Sequence, residues 1–165
     1  MTQVPTDRDR LLALSDDELL RLCRVERTRG SGRGGQKRNR TETSVRVVLA
    51  GSDLAAESDA TRSQATNRRL ALRLLRRELA VRCRCPPPAG PVAGEPPGQR
   101  EARYPLWVAL ALDVLRARGY RVSEAAADLG LSTGRLVRHL AEDGRLWQQV
   151  NEGRREHQLP PLRVG

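Results

Sequence analysis

The spacing of apolar positions divides the chain into a first part that mixes strand and helix patterns and a second part that is helical. Ser15-Asp16-Asp17-Glu18 places Ser and Glu three residues apart, a capping box, and predicts a short helix ending near Leu22. Cys23 to Thr28 alternates and predicts a strand with Cys23 and Val25 inward and Arg24 and Glu26 outward. Val45 to Leu49 reads as a second strand and Leu54 to Ala56 as a weaker third. Ser63 to Val81 has helical spacing, with Leu70, Ala71, Leu74, Leu75 and Leu79 on one side and Arg69, Arg73, Arg76 and Arg77 on another. Further on, Pro105 can open a helix that runs to about Arg118 and closes at Gly119. Ser123 is then expected to cap a helix over Glu124 to Leu129, and Thr133 to Glu142 forms the next. A last helix carries Leu146, Trp147 and Val150.

Residues 85–99, CPPPAGPVAGEPPGQ, hold six prolines and three glycines and suit neither a helix nor a central strand. The expected organisation is therefore an α+β domain over residues 1–84, a Pro/Gly-rich linker over 85–101 and a small all-α unit over 102–165. In the first, a small three-stranded sheet is packed by a long basic helix, with a glycine-rich loop protruding between two strands. In the last, Glu124 to Ser132 is similar to a helix-turn-helix core. One reading of it is RNA or DNA recognition by Arg135, Arg138 and His139; the other is a packing module with Trp107, Leu140 and Trp147 inside. Residues 123–142 carry two basic and three acidic groups, which favours packing or protein contact over phosphate binding.

Charge sharpens this division. The 165 residues hold 30 Lys+Arg against 20 Asp+Glu, a net charge of +10, and Lys37 is the only lysine. Guanidinium groups bind phosphate and stack on bases better than ammonium does, so the balance favours a nucleic-acid partner. The excess is concentrated: residues 21–49 carry nine basic and two acidic groups, and residues 61–84 carry eight and one. Aromatic residues make up 2% of the chain and Phe is absent, which argues against single-strand binders that stack bases on rings. The longest apolar run, Leu106 to Leu112, is too short to span a membrane, and the first ten residues do not read as a signal peptide. Three cysteines, Cys23, Cys83 and Cys85, suit a reducing cytoplasm. They lack the paired spacing of a zinc site, so no metal and no cofactor is expected.

Between the first two strands, Arg29-Gly30-Ser31-Gly32-Arg33-Gly34-Gly35-Gln36-Lys37-Arg38-Asn39-Arg40 places four glycines within six residues. That loop is far longer than a hairpin needs. Glycine and charge alone fit a flexible, arginine-decorated RNA-binding loop; the order of residues points further. Gly34-Gly35-Gln36 is flanked by Arg29-Gly30-Ser31-Gly32 and followed by Asn39, Val45 and Arg46, then by Arg62-Ser63-Gln64, Asn67 and the basic helix Arg68 to Leu79. This series resembles the peptidyl-tRNA hydrolysis domain of class I peptide chain release factors. The resemblance runs without insertion from about Asp16 to Ala80, some two-fifths of the chain. Arg33 stands where that family usually has Pro or Ala, Arg38 where many members are apolar, and Asp53 where a turn glycine is expected.

The resemblance implies a mechanism at the peptidyl-transferase centre of the large ribosomal subunit. Gly34 and Gly35 permit a backbone conformation closed to other residues. Gln36 presents its main-chain N–H to the developing oxyanion while its side chain orients the attacking water. Arg29, Ser31, Arg33, Lys37, Arg38, Asn39, Arg40, Arg62, Gln64, Asn67 and Arg68 are the implied rRNA and tRNA contacts. Such chemistry needs positioning and oxyanion stabilisation more than an acid–base pair. Only about fifteen residues precede the capping box, so a codon-reading domain is not expected there. The implied role is a monomeric, cytoplasmic, codon-independent hydrolase that frees nascent peptides from stalled ribosomes or separated large subunits. The alternatives are a non-enzymatic nucleic-acid-binding regulator and an inactive ribosome-binding protein.

Overall fold

The computed structural model describes residues 7–28, 43–90, 92 and 96–163. The chain divides into two compact units, Met1–Cys83 and Arg84–Gly165. The first is α+β, with helices α1 (Arg8–Ala13) and α2 (Asp16–Arg21), strands β1 (Cys23–Thr28), β2 (Ser44–Leu49) and β3 (Ala55–Ser58), and helix α3 (Gln64–Arg82). The strands form one antiparallel sheet in the order β1-β2-β3, with Val47 opposite both Val25 and Ala56. Ser15 and Glu18 close the expected capping box at the start of α2. Gly51 supplies the left-handed conformation (φ +73°) that the β2–β3 turn requires. Beside it, the Asp53 carboxylate accepts a hydrogen bond from Arg82 at 2.9 Å.

The core forms where α3 lies across β2 and β3. Val45, Val47 and Leu49 alternate along β2 and meet Ala71, Leu72, Leu75 and Leu79 of α3, all buried. Two expectations about this core need correction. Val25 was expected inward, yet it is 38% exposed, because among the described residues α3 lies mainly across β2 and β3 while α2 packs on β1. Leu74 was expected in the buried stripe of α3 and is 37% exposed, whereas Leu72 and Arg76 are inside.

The cause is α1, a helix with no counterpart in the sequence reading. It packs on α3 and turns that helix's buried sector toward Leu72 and Arg76. The Arg76 guanidinium donates to Leu12 O at 3.1 Å, Leu14 O at 2.7 Å and the Asp16 carboxylate at 3.0 Å. It thereby satisfies carbonyls at the end of α1 that have no intrahelical partner. Arg8, also buried, donates to Cys83 O at 2.9 Å just beyond the end of α3.

The second unit holds α4 (Tyr104–Ala117), α5 (Val122–Asp128), α6 (Thr133–Glu142) and α7 (Gly144–Glu156) around Leu112, Leu115, Leu136, Leu140, Leu146 and Val150. Described parts of the Pro/Gly-rich segment are hydrogen-bonded to these helices. Arg84 and the Cys85 amide both donate to the Asp113 carboxylate, and the Val92 amide donates to Asp128 O at 2.7 Å. Helix α5 starts at Val122, one residue before the expected cap Ser123, and no side chain caps it. Leu140 is fully buried, but Trp107 and Trp147 are only half-buried. Asp143 caps α7 through the Arg145 and Leu146 amides and accepts the Tyr104 hydroxyl at 3.0 Å.

Gly153 marks the tightest point of this unit. A Cβ there would sit 2.2 Å from the Tyr120 ring. Tyr120 has little freedom to move aside: its φ is +57°, its amide donates to Leu115 O at 2.7 Å, and its carbonyl accepts from Arg154 at 2.7 Å. Gly153→Ala is therefore expected to destabilise the protein by about 1–3 kcal/mol in urea denaturation, the usual cost of overpacking.

Candidate nucleic-acid interface

Ten of the residues singled out from sequence, Arg29, Ser31, Arg33, Gly34, Gly35, Gln36, Lys37, Arg38, Asn39 and Arg40, lie outside the described residues. The framework on either side of them is described. Thr28 closes β1 and Ser44 opens β2, and the two are paired in register. The chain therefore leaves and rejoins the sheet at neighbouring positions on one of its ends.

Asn67 secures the point of return. The residue lies in the first turn of α3 and is fully buried, with 0% exposure. Its amide nitrogen donates to Thr43 O and to Thr61 O, both at 2.7 Å. Its Oδ1 accepts from the Thr61 amide and the Thr61 hydroxyl, both at 2.9 Å. Two donor hydrogens and two acceptor lone pairs are all the capacity an asparagine amide has. One side chain thus holds together the residue before β2, the turn after β3 and the start of α3. Ser63 completes the turn as the helix N-cap, accepting from the Thr66 amide at 3.2 Å. On the adjoining strands the buried Ser44 hydroxyl donates to Glu57.

The other three described candidates surround this bracket. Arg62 and Arg68 are exposed on either side of the start of α3, and Gln64 is half-buried at its first position. The structure brings Arg62, Gln64, Asn67 and Arg68 into one turn and ties that turn to the residue that follows 29–42. Thr43 and Thr61 escaped the sequence reading. The signal available for them was a hydroxyl residue at 61 and another at 63, immediately before a helix, with an Asn four residues after the second.

Other candidate chemistry belongs to other elements. Burial pushes the Cys23 thiol up, with the Arg76 guanidinium opposing it, so Cys23 is not an activated nucleophile. His139 and His157 belong to the second unit. His139 sits edge-on to Trp107 at 6.0 Å between centroids and 3.6 Å from the Glu142 carboxylate. Arg135 and Arg138 are exposed on α6. Nearby Arg118 pairs with Asp128, and Arg121 pairs with Glu124. The hydrogen bond from Arg118 holds the Asp128 carboxyl below its usual range. Among the described residues, no group of three His, Cys, Asp or Glu could hold a metal, and no helix is long and apolar enough to cross a membrane.

With the fold and this bracket in place, comparison with known families is specific. Residues 17–85 match the family model of the RF-1 domain. This segment is a release-factor domain of the class I, Gly-Gly-Gln type, a domain that supports release-factor-like peptidyl-tRNA hydrolysis in general. The match spans α2 to α3, ends at the border between the two units, and leaves α1 outside it. No curated protein and no solved structure matches the chain.

Asn67→Ala removes all four hydrogen bonds of the bracket and takes this partner from the Thr43 and Thr61 carbonyls and the Thr61 amide, while the Thr61 hydroxyl keeps its bonds with Ser63. A loss of about 3 kcal/mol is expected, in line with the cost of unsatisfied buried groups. Urea denaturation gives the magnitude, and faster hydrogen exchange at the Thr61 amide locates it.

Proposed function

We propose that the protein is a codon-independent peptidyl-tRNA hydrolase that releases nascent peptides from stalled ribosomes or from separated large subunits. The observation that carries this reading is the RF-1 domain match over residues 17–85, within which Gly34-Gly35-Gln36 stands between two strand ends held in register. The reaction is attack of water on the ester that joins the peptide to tRNA. The water adds to the ester carbonyl, the tetrahedral oxyanion collapses, and the 3′-terminal ribose hydroxyl of the tRNA leaves with a proton.

In this reading the Gln36 main-chain N–H donates to the oxyanion, and its side chain confines and orients the water. Gly34 and Gly35 supply the backbone freedom that brings this N–H close to the reacting carbon. The ester needs positioning and charge stabilisation, which such a donor provides without a dedicated acid–base pair. Arg29, Ser31, Arg33, Lys37, Arg38, Asn39, Arg40, Arg62, Gln64 and Arg68 contact rRNA and tRNA. Asn67, its amide saturated inside the domain, acts by holding Thr43 in place.

The charge distribution supports a ribosomal partner gripped through phosphates: residues 1–83 carry 18 basic and 11 acidic groups, whereas residues 84–165 carry 12 and 9. The locally paired charges of α5 suit the helical unit to a protein contact better than to reading a codon. A monomer acting in the cytoplasm fits this role.

The test is peptide release from ribosomes programmed with truncated mRNA and from large subunits loaded with peptidyl-tRNA. Wild-type protein should release peptide from at least one of these. Gly35→Ala, which restricts the backbone that presents the Gln36 N–H, should lower the rate by about a hundredfold or more, the scale of losing one oxyanion donor. Gln36→Ala, which keeps that N–H and loses the side chain that orients the water, should also slow release, while ribosome binding persists in both. Absence of release from both substrates by the wild type would overturn the proposal.

A further inference from the structure

Helix α3 carries arginines beyond the two, Arg62 and Arg68, that the proposed release reaction uses. Residues 62–77 contain six arginines and no acidic residue. Arg76 is spent inside the domain, on carbonyls of α1 and on Asp16. Arg69 and Arg73 are exposed, as are Arg62 and Arg68 at the start of the helix. Four residues separate Arg69 from Arg73, which makes them neighbours on one face, about 6 Å apart along the axis. Arg77 continues that row one turn on and is half-buried.

Elsewhere in this unit arginines generally meet carboxylates. Arg10 faces Asp7, Arg24 and Arg46 face Glu26, Arg76 faces Asp16, and Arg82 faces Asp53. Among the described residues, Arg62, Arg68, Arg69 and Arg73 meet none; Arg27 is likewise unpaired, but it stands apart from this cluster. Like charges at four-residue spacing weaken a helix, so the row costs stability unless an anion covers it. A protein that already uses acidic residues to neutralise arginines over the same domain leaves this face open.

We infer that the Arg69–Arg73 face of α3 is a second RNA-binding surface, one that grips the phosphate backbone of folded RNA independently of the glycine-rich segment. Guanidinium groups suit phosphate oxygens through paired N–H donors. A rigid helix presents them at fixed spacing without aromatic residues, which suits duplex backbone and shape more than splayed bases. The inference rests on the proposed release reaction only in taking that RNA to be rRNA; the surface itself requires only an RNA backbone.

The experiment is a titration of full-length protein with a fluorescent RNA hairpin of about twenty base pairs at several KCl concentrations. The variant is Arg69→Gln with Arg73→Gln. The control is Arg10→Gln with Arg24→Gln, which removes the same charge from arginines that already meet carboxylates. Two lost phosphate contacts should make the salt slope shallower by about 1.8, so the wild type should lose roughly 12-fold more affinity than the variant between 50 and 200 mM salt. The control should keep the wild-type slope, and the melting temperature of the Arg69/Arg73 variant should hold or rise. Equal slopes for wild type and variant, or an equal change in the control, would overturn the inference; the first result is also what an acidic protein partner would give. Peptide release measured on the same proteins keeps the two proposals separable, because a wild type that releases nothing can still show the hairpin slope.

Discussion

The first unit depends on the amide of Asn67. From the first turn of α3 it gathers two other stretches of chain, the residue before β2 and the turn after β3. Both contribute backbone groups that would be costly to bury without partners, and one side chain supplies the donors and acceptors they need. The arrangement is cooperative. The Thr43 carbonyl is in place only if α3 is in register, and α3 keeps its register through Leu72, Leu75 and Leu79 against the sheet. The return end of the glycine-rich segment is therefore fixed by the packing of the whole domain.

Arginine serves two opposed purposes in this unit, and burial separates them. Arg8 and Arg76 point inward and satisfy carbonyls at helix ends, where a charged donor in a low-dielectric setting strengthens each hydrogen bond. Between them they join α1 to both ends of its contact with α3. Arg62, Arg68, Arg69 and Arg73 point outward and carry the net charge of the domain to its surface. The same residue type, in the same sixteen-residue stretch 62–77, thus builds the fold at one position and stands exposed at others. A count of charges does not distinguish these roles. The path of α1 does.

The helical unit follows a different logic. Its charges are near balance and largely paired locally, as in Arg118 with Asp128 and Arg121 with Glu124. Its specificity comes from close packing: Tyr120 fills the space above Gly153, and Asp143 caps α7 while it accepts the Tyr104 hydroxyl. His139 rests against Trp107 with its side chain 23% exposed, so a ring that sequence alone offers to nucleic acid is largely engaged within the unit.

The elements with strong local signals were legible in the chain. The capping box at Ser15, the alternation of β2 and the long run of α3 are each determined within a few residues by propensity and hydrogen-bonding geometry. The order of Gly34-Gly35-Gln36, Arg62-Ser63-Gln64 and Asn67 was enough to point to the release-factor domain. Which apolar residues are buried was decided by neighbours. A strand's alternation gives two faces but not what covers them, so Val25 stays open where α3 does not reach. Periodicity likewise gave α3 an apolar side but could not rotate it toward a helix as short as α1, and so left Leu72 and Arg76 unassigned to the interior. Asn67 shows the same limit at the site: its place in a motif is local, whereas its saturation by Thr43 and Thr61 exists only once three separate segments have met. Sequence alone determined the helices other than α1, the strands and the release-factor domain; tertiary structure decided which polar groups are consumed inside the fold and which remain exposed, because burial and hydrogen-bond satisfaction are properties of contacts between distant residues.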